Sequence, residues 1–255
     1  MIRNFLKLFF HPIVLSRYFK ETLLFCNKLD IKYKEFTRYF LQFMMNSKDF
    51  FMYRNNMISL ALKMSNYDDR LGGWIDDSCG IIIYIIVRHV KPEIVVETGV
   101  GPGGTTSFIL KALEDNQKGE LLSIDLPGYD DLVYPYIGKC GNLHIPKGLE
   151  VGWLVPPWLK HRHKLIIGNS KEKLPELLSN LGTSVDIFMH DSLHTDEHIL
   201  FELNTVLPHM TNNGIMLCDD VNDYWSFAFV EFCKIQGFSY LVFNNRLGIC
   251  RVCNN

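Results

Sequence analysis

The chain has 255 residues, enough for one large domain or one domain with a substantial extension. Apolar residues at 47% and charged residues at 21% exclude a disordered or membrane-bundle composition and fit a soluble globular protein. Lys+Arg at 26 against Asp+Glu at 28 give a formal net charge of −2, which excludes the broadly basic face of a general nucleic-acid binder.

The first segment, Met1 to Phe19, is apolar and basic. Arg3, Lys7, His11, Pro12 and Arg17 interrupt its apolar runs, whereas a spanning helix needs about 20 mostly apolar residues. No small-residue cleavage site follows. The segment reads as an amphipathic helix packed on the main domain rather than one lying on a membrane surface. Residues 1–70 as a whole read as an N-terminal helical extension. Phe36, Tyr39, Phe40, Phe43, Phe50, Phe51 and Tyr53 recur at spacings of three and four, and no glycine precedes Gly72. This aromatic segment is a candidate surface for homo-oligomers.

Residues 71–255 read as the main domain. Gly80 to Val90 suggests a helix leading into a β-branched strand, Glu93 to Glu97. A helix over Gly103 to Leu113 follows a glycine-rich turn. Strands are then expected at Glu120 to Asp125, His163 to Ile167, Ser184 to Met189 and Gly214 to Cys218. Helices are expected at Lys171 to Leu181, Thr195 to about Met210, and Val221 to Gln236. The last two strands, Phe238 to Phe243 and Leu247 to Val252, are joined by the hairpin signal Asn244-Asn245. Alternation of this kind implies an α/β fold, a seven-stranded and mostly parallel Rossmann-like sheet closed by an antiparallel C-terminal hairpin. Residues 128–162 break the alternation. They are rich in Pro, Gly, Tyr and Trp and follow the carboxyl end of the second strand, where open α/β sheets bind ligands, so they read as a lid. Trp153 and Trp158 are candidates to line an acceptor pocket.

Seven cysteines, Cys26, Cys79, Cys140, Cys218, Cys233, Cys250 and Cys253, are odd in number and scattered, which argues against a disulfide framework and for a reducing, cytoplasmic location. Cys250 and Cys253 form a C-x-x-C without the second ligand pair that structural zinc wants. His194 and His198 form H-x-x-x-H without the adjacent Glu of the zinc-protease signature.

Chemistry concentrates in Glu97-Thr98-Gly99-Val100-Gly101-Pro102-Gly103-Gly104-Thr105-Thr106, where a strand ends in an acid, a glycine turn follows and a helix begins. Glycines let backbone approach a ligand, and the helix N-terminus offers free N–H groups to an anion. The string fits both the dinucleotide pattern G-x-G-x-x-G and the methyltransferase pattern E-x-G-x-G-x-G. Asp125 ends the second strand, where an acid can accept hydrogen bonds from both ribose hydroxyls. That indicates a nucleoside ligand without choosing between the two patterns; a loop-start carboxylate capping backbone N–H groups is the other reading of Asp125.

The later tracts choose. VVETGVGPGGTTSFIL, LLSIDLPG, LIIGNSKEKLPELL, VDIFMHDSLHTDEHILFEL and NNGIMLCDDV lie in the order found in class I S-adenosylmethionine-dependent methyltransferases. The sequence resembles the group that includes catechol O-methyltransferase and the macrolide-sugar O-methyltransferases. The resemblance implies an enzyme that moves a methyl group from S-adenosylmethionine to a hydroxyl of a small molecule or sugar. It implies cofactor binding by Glu97, Gly99, Gly101, Gly103, Thr105, Asp125, Asn169, Ser170 and His190, with Thr105 on the cofactor carboxylate and Asn169 and Ser170 at the adenine edge. Many relatives have Asp where Asn169 stands. Asp191, Asp219 and Asp220 match the divalent-metal ligands of the group, with Mg²⁺ the expected ion. Asp220 stands where catechol O-methyltransferase has Asn. His194 stands where that enzyme has its lysine base, and a near-neutral imidazole there suits a general base acting beside Asp191.

Three carboxylates at neighbouring strand ends repel unless a cation or protons join them, and an all-oxygen set suits Mg²⁺. Caps on the following helices are the other reading of Asp191 and Asp219. Two alternative functions stand beside the methyltransferase. One is an NAD-dependent oxidoreductase, carried by the glycine motif alone. The other is a non-catalytic nucleoside-binding protein.

Overall fold

The computed structural model describes residues 22–64, 75–126, 145–146 and 148–253. The amphipathic helix expected at 1–19 and the 128–144 part of the lid lie outside the described residues.

A helical stretch over 22–29 is followed by helices α1 (Tyr33–Asn46), α2 (Lys48–Met64) and α3 (Asp77–Val90). The α/β alternation then runs β1 (Ile94–Thr98), α4 (Gly104–Asn116), β2 (Glu120–Asp125), β3 (His163–Ile167), α5 (Ser170–Asn180), β4 (Val185–His190), α6 (Asp196–Val206), β5 (Met210–Cys218), α7 (Ala228–Gln236), β6 (Tyr240–Phe243) and β7 (Leu247–Arg251). Local chemistry sets several boundaries. Asp76 caps α3, its carboxylate accepting from the Ser78 and Cys79 amides, and Lys91 ends that helix in the left-handed region just before Pro92. Pro208 holds the residues after α6 to a 3₁₀ turn, so this helix stops at Val206 rather than near Met210.

The sheet order is β3-β2-β1-β4-β5-β7-β6, with β1 to β5 parallel and β7 antiparallel to both β5 and β6. This is the Rossmann-like sheet with a C-terminal hairpin. Alternation decides which face each strand residue covers. Val95, Leu121, Ile187, Met189, Ile215 and Leu217 face a core shared with α3 and α4. Val96, Leu122, Phe188, Met216 and Cys218 face the other core, under α5, α6 and α7. The N-terminal helices join the first core. The Phe43 ring lies 4.6 Å from that of Tyr84 and 5.8 Å from that of Phe108, and Phe50 lies 5.2 Å from Phe108.

The helix expected from Val221 begins only at Ala228. Asn222 takes the Tyr224 and Trp225 amides on its side-chain oxygen, and that local turn competes with helix over 221–227. The Asn244-Asn245 signal is realised: both residues are left-handed, at φ 52° and 50°, between β6 and β7. The described cysteines, Cys26, Cys79, Cys218, Cys233, Cys250 and Cys253, are all free thiols. Among the described residues no helix is long and apolar enough to cross a membrane.

Candidate active site

The parallel register sets four strand ends abreast. Thr98 pairs with Ile124 and His190, and His190 pairs with Cys218. The next residue of each strand therefore enters the same cleft. The Asp191 amide donates to the Thr98 carbonyl at 2.8 Å, and the Asp219 amide to the His190 carbonyl at 2.9 Å.

After β1 the turn uses left-handed backbone at Gly99 (φ 83°), Gly101 (φ 49°) and Gly103 (φ 90°), conformations that glycine adopts without strain. Part of the expected lid lies on this turn. The Gly152 amide donates to the Gly101 carbonyl and that of Leu154 to Pro102, at 2.8 and 2.7 Å. A Cβ on Gly103 would fall 2.8 Å from a Val155 methyl and 2.9 Å from the Gly152 α-carbon. Gly103 thus serves close packing by residues 152–155. Trp153 is buried in a small cluster with Val100, Ile145 and Leu154, a packing position, whereas Trp158 is half exposed.

Asp125 ends β2 beside the turn. Its Oδ1 accepts the Val100 amide at 3.1 Å, while Oδ2 is buried and has no partner. Burial raises its pKa, as it does that of Glu97, pushed up to about 8. Glu97 is fully buried and accepts the Thr106 hydroxyl, at 2.9 and 3.1 Å to its two oxygens, and the Ser123 hydroxyl at 2.6 Å. His163 Nε2 lies 2.9 Å from the Ser123 oxygen. An orphaned buried acceptor beside a glycine turn fits a nucleoside cofactor whose ribose supplies the missing donor.

Asn169 and Ser170 are otherwise engaged. Asn169 caps α5 through the Lys171 amide, and the Ser170 hydroxyl lies 3.0 Å from His198 Nε2. His190 and His198 are joined through Glu202, a residue the sequence reading missed. This fully buried carboxylate accepts from Thr98 and His190 on Oε2 (2.5 and 2.6 Å) and from Ser192 and His198 on Oε1 (2.9 and 2.8 Å). Burial alone would push Glu202 up, but His190 and then His198 hold it far below the usual carboxylate range. The i, i+4 spacing of His198 and Glu202 on α6 was the available signal; it pairs His198 with an acid rather than with zinc.

The three expected metal ligands depart from that role. Asp219 is gripped on both oxygens by Arg246, Nε to Oδ1 at 2.9 Å and Nη2 to Oδ2 at 2.8 Å. Arg246 Nε also lies 3.3 Å from Asp220 Oδ1. Asp191 Oδ2 accepts the Thr105 hydroxyl at 2.7 Å, so the Thr105 proton is directed to Asp191 rather than to a cofactor carboxylate. Among the described residues no group of three or more His, Cys, Asp and Glu side chains is arranged to hold a metal ion. As placed, these residues do not fit Mg²⁺.

His194 has its Nε2 3.9 Å from Asp191 Oδ1 and 3.8 Å from Asp220 Oδ2. Its Nδ1 is buried without a partner, and the Trp225 ring lies 5.6 Å away. The near-neutral pKa expected for it is corrected: burial, with His190 and Arg246 nearby, lowers it to about 3, so the imidazole is neutral. Asp220 is raised to about 6 by burial and by Asp219.

Comparison with known proteins agrees with this geometry. A family model described as a methyltransferase domain matches residues 96–221. A search of curated proteins gives no match. Several solved structures share the fold. The O-methyltransferase TomG of Streptomyces achromogenes, involved in tomaymycin synthesis and solved with S-adenosylmethionine, superposes with a TM-score of 0.54 at 13% identity, over 78% of this chain and 90% of that one. The O-methyltransferase of Bacillus cereus, solved with S-adenosylhomocysteine, gives 0.52 at 10% identity over 77% and 90%. The S-adenosylhomocysteine-bound methyltransferase PaMTH1 of Podospora anserina gives 0.51 at 16% over 78% and 88%. Residues 96–221 thus match a methyltransferase domain, and the chain shares its fold with these S-adenosylmethionine- and S-adenosylhomocysteine-bound methyltransferases.

Proposed function

We propose that the chain transfers a methyl group from S-adenosylmethionine to a hydroxyl of a small molecule or sugar. The observation that carries this reading is Asp125 Oδ2, a buried acceptor without a partner at the end of β2, beside a glycine turn built on β1. The relatives solved with S-adenosylmethionine or S-adenosylhomocysteine support the cofactor.

S-adenosylmethionine, when bound, supplies an electrophilic sulfonium methyl. The protein's contribution is placement. Asp125 Oδ2 would hold a ribose hydroxyl, with Oδ1 staying on the Val100 amide. His194 presents Nε2–H toward Asp191 and Asp220, which leaves the Nδ1 lone pair for the acceptor hydroxyl. An imidazole with so low a pKa is a weak base by itself. It passes a proton, taking one at Nδ1 and releasing one from Nε2 to Asp220, the better matched sink. Trp225 forms a wall beside it. No step runs through a metal.

The test is incubation with methyl-labelled S-adenosylmethionine and a panel of phenols, polyols and sugars. Alkali-stable label in an ether product, lost in His194→Gln while S-adenosylhomocysteine still binds, is the expected result. Label confined to amines or thiols would overturn oxygen as the acceptor atom.

A further inference from the structure

We propose that Arg246 stands where a divalent ion would bridge Asp219 and Asp220, acting as a built-in cation that positions both acids and makes the site independent of metal. The inference rests on the methyltransferase reading for its purpose, but not for its geometry.

Three acids converge at the ends of β4 and β5, and their repulsion must be balanced. Arg246 balances it with a bidentate fork on Asp219, whose side chain is 3% exposed, and shares its Nε with Asp220. Its delivery is built into the chain. The left-handed Asn244 and Asn245 turn β6 back toward β7, and the Val221 amide donates to the Arg246 carbonyl at 2.8 Å. That bond ties the arginine to the residue directly after Asp220, itself left-handed at φ 57°.

A Mg²⁺ ion binds oxygen at about 2.0–2.1 Å and would need the same Asp219 oxygens. It would then sit within a few ångströms of a guanidinium that cannot give up its charge. The metal must evict Arg246 or stay out. One oxygen of Asp191 is already engaged by the Thr105 hydroxyl, which leaves a single uncommitted oxygen on that side. A lysine could not replace the arginine fully, since its point charge lacks the planar fork that grips both oxygens.

The test uses the full chain and Mn²⁺, whose free form is read by electron paramagnetic resonance. Wild type is expected to take up no Mn²⁺ at tens of micromolar, and its affinity for S-adenosylhomocysteine to change less than twofold between EDTA and millimolar Mg²⁺. Arg246→Met leaves two acids facing each other; it is expected to bind one Mn²⁺ and to melt higher with the ion than without it, and adding Asp219→Asn is expected to abolish the uptake. Arg246→Gln serves if the Met variant fails to fold. Stoichiometric uptake by wild type, lost in Asp219→Asn, would overturn the proposal. So would a folded Arg246 variant that takes up none. Failure of S-adenosylhomocysteine to bind at all, with the Mn²⁺ results as expected, would sink the methyltransferase reading and leave the cation replacement standing.

Discussion

Gly99 lies directly against the backbone of Asp191: a Cβ on Gly99 would fall 2.0 Å from the Asp191 carbonyl oxygen and 2.6 Å from the Ser192 amide. The first glycine after β1 and the first acid after β4 are therefore one packed unit. Both obstacles are backbone, which cannot swing aside as a side chain can. Gly99 is also left-handed, so Gly99→Ala adds backbone strain of about 1–3 kcal/mol to the clash. The variant is expected to melt well below wild type and to lose S-adenosylhomocysteine binding in the same preparation. A calorimetric scan with a ligand titration checks both.

Asp125→Asn separates binding from folding. The amide oxygen can keep the Val100 contact, while the side chain loses the charge that accepts a ribose hydroxyl. A hydrogen bond to a charged group contributes about 1.5–3 kcal/mol, so S-adenosylhomocysteine affinity should fall roughly 10- to 100-fold. Thermal stability should hold or rise, because a buried carboxylate with a raised pKa has been removed. Isothermal titration beside a melting curve decides.

Glu202→Gln should be costly. The buried carboxylate accepts from Thr98, His190, Ser192 and His198, and an amide turns an NH₂ toward those donors. Breaking a buried charge network of this kind costs about 3–5 kcal/mol. Urea unfolding should show the midpoint moved down by a corresponding amount. A loss under 1 kcal/mol would mean that the network is not formed.

Stability should fall on both sides of a middle pH. His194 and His163, lowered from 6.5 to about 3 and about 4 by burial, bind fewer protons folded than unfolded below 6.5. Their contribution is full above 6.5 and is lost as pH falls toward 4 and 3. Glu97, raised from 4.5 to about 8, acts with the opposite sign: its contribution is full below 4.5 and is lost as pH rises through 8. Melting temperature against pH should therefore flatten on the alkaline side in Glu97→Gln and on the acid side in His163→Gln.

Much of the fold was legible because period and punctuation agreed. Glu120 to Asp125 and His163 to Ile167 were placed to the residue, and Asn244-Asn245 marked the hairpin. The start of α7 was not legible, since Asn222 takes the following amides locally and no apolar period reveals that. At the site, Asp125, Asp191, His194, Asp219 and Asp220 lie at or just after the carboxyl ends of β2, β4 and β5. Arg246 was invisible: it lies 27 residues from Asp219 and reaches it only because β7 pairs with β5. Glu202 was hidden for a similar reason, four residues from His198 on a helix that looked ordinary.

The most direct test of the central claim is calorimetric titration of the purified chain with S-adenosylhomocysteine, with NAD as competitor. Micromolar binding of S-adenosylhomocysteine that NAD does not displace is the predicted result. Binding of NAD without S-adenosylhomocysteine would contradict the account and leave only the Rossmann-like sheet.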